Sequence, residues 1–445
     1  MTFAQLLQFF LSISILVVLH ELGHFLPAKW FKTRVEKFYL FFDPWFSIVK
    51  KKIGGTEYGI GWLPLGGYVK IAGMVDESMD TEQLKKPAEP WEFRSKPAWQ
   101  RLIIMLGGVT VNFFLAWIIY SSLSFFKGEE YHDNTKFENG IAVSAEGEKM
   151  GLKTGDKILA IDGKPSPRFE TSMVNILFAD EVTVLRDGNE VTFPVNELGV
   201  RDVLQANEAR AYFSQRFPTV IDSVVAGSGA SKASLRKGDQ IVAIDNKPTP
   251  FFDQLSGELE NKKNQTVALS INRNGETFQT EALVDKEGKL GFSTSVEPLI
   301  TALAKTNVKQ EYSFFEAIPR GFTRTIDVLV MQVKQFKIVF NSTTQGYKKV
   351  SGPIGIIKQM PEKVNWEFFW SFTAMFSVWL AFLNLIPIPG LDGGHVMFTL
   401  WEIITGKPVP QKVLENAQMI GVIFLLGLMV LIFGNDIFKW ITGKF

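Results

Sequence analysis

The stretch VVLHELGHFL (residues 17–26) sets two histidines and a glutamate at the end of an apolar run, and residues 1–19 carry no charged side chain. A charged side chain at the centre of a membrane helix costs about 2.5–3.5 kcal/mol on insertion scales, so three titratable groups here need a compensating partner. His20 and His24 stand four apart, which on a helix puts them on one face, where two imidazoles can converge on a metal. Neutral imidazole is a common zinc ligand. Glu21 lies beside the pair and could accept a proton from a water activated by that metal. Residues 20–24 thus read H-E-x-x-H in full, and they take two of the chain's four histidines. The alternative, a polar face packing against neighbouring helices, must explain three costly residues at once.

Composition narrows the setting. The chain has 445 residues, room for several domains, and a formal net charge of +1, which argues against nucleic acid as a partner. Its 46% hydrophobic content suggests membrane segments joined to a water-soluble part. The absence of cysteine excludes thiol catalysis, cysteine–zinc sites and disulfides. Four apolar stretches are long enough to span a bilayer: about 2–31, 102–126, 368–388 and 419–433. The first has its earliest positive charge at Lys29, after the apolar run, and no small-residue cleavage site follows. It therefore reads as a retained helix and not as a signal peptide. Lysines and arginines crowd the loop between the first two stretches, from Lys29 through Lys50, Lys51, Lys52, Lys85 and Lys86 to Arg101. That bias predicts a cytoplasmic loop, with both termini and the long segment of about 127–366 on the outer side.

Two histidines leave a tetrahedral zinc in need of another protein ligand and a water. The candidate lies in FLNLIPIPGLDGGHV (residues 382–396), where Pro387 and Pro389 should break the third apolar helix. Asp392 follows about twenty apolar residues; such a carboxylate is expensive unpaired and compensated as a zinc ligand. The topology puts the ends of the first and third stretches on the same side, so the two motifs can meet. Asn384 is the remaining polar group of that helix; its amide either handles the substrate backbone or an oxyanion, or caps the broken helix. His395 is expected in a supporting or structural role and His132, in EEYHDNTKF, at the surface.

The outer segment carries an internal repeat. GLKTGDKILAIDGKP (151–165) and SLRKGDQIVAIDNKP (234–248) agree at nine of fifteen positions without a gap. A glycine turn, an aspartate, an alternating strand and a second turn resemble the strand-turn signature of PDZ domains. Carboxylate-capturing loops of that fold would be Leu198-Gly199-Val200 and Leu290-Gly291-Phe292, each following its repeat, an order that suits circular permutation.

HELGH at 20–24, NLIPIPGLDGG at 384–394, four spans and tandem outer domains together resemble the bacterial site-2 protease family over nearly the whole chain. The resemblance implies zinc held by His20, His24 and Asp392, water activation by Glu21, and substrate handling by Asn384. The family's Gly-Pro-x-x-Asn pattern in the second span reads Gly108-Val109-Thr110-Val111-Asn112 here, with valine in place of proline. The aromatic, glycine-punctuated stretch 38–73 reads as β-hairpins, and the resemblance makes it a membrane-reentrant β-loop that could pair with an extended substrate.

The expected architecture is a polytopic α-helical membrane protein. It runs from a first transmembrane helix with the zinc motif (1–35) through the β-loop region (36–97) to a second helix (98–127). Two circularly permuted PDZ domains (128–215, 216–300) and amphipathic membrane-surface helices (301–365) come next. A third helix (366–389), the LDGG motif with a cytoplasmic loop (390–415) and a fourth helix (416–441) complete the chain. The expected function is intramembrane zinc proteolysis in a bacterial inner membrane. Resemblance points to single-pass substrates of the anti-sigma-factor type and leftover signal peptides, with lipid around the spans and peptide C-termini at the PDZ grooves. A catalytically silent PDZ scaffold would leave Glu21 and Asp392 unexplained, and a zinc transporter predicts neither a general base nor a β-loop.

Overall fold

The computed structural model describes residues 1–74, 87–206 and 212–442; Lys85 and Lys86 of the basic loop lie outside them. Two compact units emerge: Met1–Gly128 with Glu311–Phe336 and Val350–Phe445, and Glu129–Gln310 with Lys337–Lys349.

The first unit holds four helices long and apolar enough to cross a membrane: Phe3–Trp30, Ala98–Lys127, Trp366–Leu385 and Gln411–Ile441. The first opens on a capping box, in which Thr2 takes the N–H of Gln5 while the Gln5 side chain returns to the N–H of Thr2. Pro27, near its far end, has no N–H to give the carbonyl of Gly23 four residues back. Gly23 there meets the backbone of Gly107 and Gly108 in the second helix, and a Cβ on Gly23 would fall 2.8 Å from the Cα of Gly108. Glycine on both faces is what permits so close an approach. The third helix stops at Leu385, just before Pro387 as expected, and Asp392 starts a new helix, Asp392–Thr405. The fourth begins at Gln411, capped by Pro410, earlier than the expected 416.

Two strands, Val35–Ile53 and Thr56–Ile71, make the hairpin region. Each folds on itself: residues 37–40 pair with 57–60 on one side and with 67–70 on the other. Non-glycine residues with left-handed backbone, Phe41 and Trp45, mark the break in the first strand. A third feature, the segment after residue 350, is gripped through its backbone. The buried Asp436 carboxylate of the fourth helix accepts the N–H groups of Gly352 (2.9 Å), Ile354 (2.9 Å) and Gly355 (3.2 Å), at the start of helix Pro353–Gln359. Nothing in the sequence had singled out Asp436. Helix Phe314–Phe340 turns Val328 and Leu329 onto Ala116 and Tyr120 of the second helix and Ala374 and Val378 of the third.

The second unit contains two halves with one strand order. In the first, Lys164–Pro165, Lys157–Ile161, Glu181–Arg186 and Asn189–Pro194 form an antiparallel sheet, with Ile141–Val143 paired to Phe213–Gln215. In the second, Lys247–Pro248, Gln240–Ile244, Thr266–Arg273 and Glu276–Leu283 do the same, with Ile221–Val224 paired to Phe292–Thr294. The aspartate of each Gly-Asp turn has a structural purpose. Asp156 receives Arg186 through Nε and Nη2, both at 2.7 Å, and Asp239 receives Arg273 at 2.6 and 2.8 Å. Hydrogen bonding from Arg273 holds the Asp239 carboxyl below its usual range. Because the side chain of Asp156 is 1% exposed, Arg186→Met should strand a buried charge and cost about 3–5 kcal/mol. Hydrogen exchange should then show Lys157–Ile161 opening far more readily; unchanged protection would mean that the pair is dispensable.

One expectation fails here. Leu198-Gly199-Val200 is not a carboxylate-capturing loop but the start of helix Glu197–Gln205, capped by the Asn196 side chain on the N–H of Leu198. The N–H groups of Leu198 and Val200 are taken by the side chain and carbonyl of Asn196, and Gly199 is needed for close packing on the backbone of Lys149 and Met150. At the other expected loop Gly291 has φ +83° and leads into Phe292–Thr294.

Candidate metal centre

The first helix brings its two histidines inward, and both are buried. The break after Leu385 turns the chain so that Asp392 reaches them. Left-handed backbone at Gly390 (φ +99°) makes the turn, and Gly421 of the fourth helix leaves room for the carbonyl of Pro389. His20 Nε2 lies 3.3 Å from Asp392 Oδ2, His24 Nε2 lies 3.2 Å from it, and the two Nε2 atoms are 3.4 Å apart. Oδ2 is buried and takes no hydrogen bond. A tetrahedral zinc with bonds of about 2.0–2.1 Å separates its ligand atoms by about 3.3–3.4 Å. The three atoms therefore match one face of a zinc tetrahedron, and they are the metal-competent cluster found among the described residues.

Glu21 stands next to this triangle, with its carboxylate near the backbone of Val69 in the hairpin region. Asn384 lies in the last turn of the third helix and does not cap it; the cap is Ile386. Its Nδ2 is 3.2 Å from His20 Nε2, so its amide borders the same space. His24 Nδ1 is fixed on the carbonyl of Ile104 at 2.8 Å, the kind of contact that leaves Nε2 free for a metal. His395 stands outside the triangle and pairs with Gln418 of the fourth helix at 3.2 Å. His132 is at the partly exposed surface beside Glu170.

Three participants were not expected at the site, although two of them, Gly108 and Asn112, stand in the family's pattern in the second span. Gly108 packs flat against the imidazoles: a Cβ there would fall 2.6 Å from His20 Cε1 and 2.8 Å from His20 Nδ1. Asn112, wholly buried, approaches His20 Nδ1 at 3.1 Å, and Ile104 holds His24. A Gly-Gly pair inside an apolar helix was the available signal for the first. Gly108→Ala should push the histidines apart, and a misplacement of about 1 Å can cost on the order of 100-fold in rate. The check is turnover and zinc content of the variant; native values for both would show that the helices yield.

A glutamate beside a His–His–Asp triangle, enclosed by apolar helices, is the equipment of a membrane metallopeptidase. The chain belongs to Peptidase family M50, whose family model matches residues 8–428. It is 28% identical to a regulator of sigma E protease from Haemophilus influenzae, over 97% of this chain and 98% of the relative. It is 29% identical to the regulator of sigma-E protease RseP of Escherichia coli K12, again over 97% and 98%. A Vibrio cholerae relative, 26% identical over 97% of each chain, carries a zinc metalloprotease designation. The protein is a zinc metalloprotease of the site-2 type. The silent-scaffold and transporter readings fall away.

Proposed function

We propose that this protease hydrolyses peptide bonds within or beside transmembrane helices of single-pass proteins in a bacterial inner membrane. The observation that supports this best is the ligand triangle itself, with two histidines on a helix apolar enough to cross a bilayer and an aspartate just beyond the end of another. His20, His24 and Asp392 would hold zinc, which when bound would supply Lewis-acid activation of the scissile carbonyl and of the attacking water. Glu21 then takes the proton of the attacking water and returns it to the departing amine. The backbone of Val69, next to the Glu21 carboxylate, would help to aim it. Asn384 donates an amide N–H to the carbonyl oxygen as charge builds there.

A transmembrane helix hides its peptide bonds and must unwind before cleavage. The hairpin region, which reaches Glu21 through Val69, offers a strand edge on which an extended substrate can pair. We read it as membrane-reentrant, supported by exposed Trp45, Phe46 and Ile48. The names of the relatives, which tie them to sigma E, support a membrane-anchored anti-sigma factor as one substrate; its prior trimming on the outer side and the cleavage of leftover signal peptides belong to the same proposal and rest on the family resemblance alone. The two halves of Glu129–Gln310 act as periplasmic PDZ domains that exclude substrates with bulky outer domains, and the Gly291 turn offers a seat for a peptide C-terminus.

Purified protein in liposomes should cleave a transmembrane peptide. Deleting Glu129–Gln310 should extend cleavage to substrates with untrimmed outer domains; continued rejection of those substrates would put the filter elsewhere. Reporter fusions after Lys96 should be cytoplasmic and fusions near Asn246 periplasmic. The reverse pattern would undo the proposed topology.

A further inference from the structure

Asn112 is mismatched with His20 once that histidine is a metal ligand. Its side-chain oxygen is buried with no partner, while its amide nitrogen stands 3.1 Å from His20 Nδ1. Yet it is Nε2 of His20 that faces His24 and Asp392. A neutral imidazole offering the Nε2 lone pair must carry its proton on Nδ1, and an Nδ1–H cannot be satisfied by an NH2 group. The two ends of a carboxamide have nearly the same shape. Turning this one over aims Oδ1 at the Nδ1 proton at no cost in volume, and gives the orphaned oxygen a donor.

We propose that Asn112 is a positioning residue for the metal: its side-chain oxygen accepts the Nδ1 proton of His20 and so fixes that ring's tautomer and plane. The inference rests on His20, His24 and Asp392 as the ligand set. Its counterpart is already formed at His24, whose Nδ1 meets the Ile104 carbonyl. Residues 104, 108 and 112 are spaced by four and lie along one stripe of the second helix. The stripe presents an acceptor for His24, a flat glycine under both rings, and an acceptor for His20. Ser377 Oγ, donating to the Asn112 backbone carbonyl at 2.7 Å, ties that turn to the third helix. This tie uses the backbone and survives any side-chain substitution.

The test is zinc affinity, measured by chelator competition on the purified full-length protein. Asn112→Leu and the smaller Asn112→Ala remove the acceptor and should weaken zinc about 10–100-fold, as loss of an orienting partner does at other metal sites. Asn112→Asp, whose carboxylate can only accept, should bind within a few-fold of the native protein. Cobalt loaded in place of zinc should give a native visible spectrum with Asp and an altered one with Leu or Ala. Native affinity in Leu and Ala would reduce Asn112 to a packing role, and a loss in Asp equal to that in Leu would mean that the nitrogen faces the ring; either result overturns the proposal. His20→Ala separates the premise: native zinc affinity in that variant defeats the ligand set itself, whatever the Asn112 variants do.

Discussion

Glu21→Gln should leave zinc in place and stop hydrolysis. Glutamine keeps the shape of the side chain and can still border the metal triangle, but its amide cannot take a proton from water. Positioned general bases contribute about 10²–10⁴-fold, so turnover of a transmembrane peptide should fall by that factor or vanish. Metal content of the purified variant should match the native protein. Substantial turnover by Glu21→Gln would remove Glu21 as the base, and loss of zinc would make it a ligand.

Asp392→Ala should behave in the opposite way towards the metal. It leaves two imidazoles and no carboxylate, so zinc affinity should drop by more than about 100-fold, beyond the range seen when only an orienting partner is lost, and activity should go with it. His20→Ala and His24→Ala should follow. Full zinc occupancy in Asp392→Ala, measured on the detergent-purified protein, would contradict a three-ligand site.

The metal triangle and its glutamate were legible in the sequence because their residues are conspicuous and expensive where they stand. Three titratable groups after nineteen uncharged residues, and a carboxylate after the apolar third helix, each demand a partner, and the breaks at Pro387 and Pro389 said where the helix must stop. The four apolar helices were legible for the same reason. What stayed hidden depends on which faces meet. Gly108 and Asn112 stood out only through the family's pattern in the second span, and no spacing reveals that this stripe abuts the histidines. Asp436 could have been noticed as a carboxylate near the end of the fourth helix, but its partners are backbone N–H groups with no side-chain signature. Leu198-Gly199-Val200 misled because a three-residue pattern was weighed without its neighbour: Asn196 caps a helix there, and local capping outranks a loose loop motif. The hairpin region was foreseen as β structure, yet the doubling of the first strand depends on left-handed backbone at Phe41 and Trp45, which aromatic residues rarely adopt.

The central claim is that two imidazoles from the first helix and one carboxylate from beyond the third share a metal. X-ray absorption at the zinc edge of the purified, zinc-loaded protein measures this directly. The account predicts one zinc per chain with two imidazole nitrogens and the remainder oxygen, all at about 2.0–2.2 Å. A third imidazole in the coordination shell would bring in His395 and contradict the site as drawn.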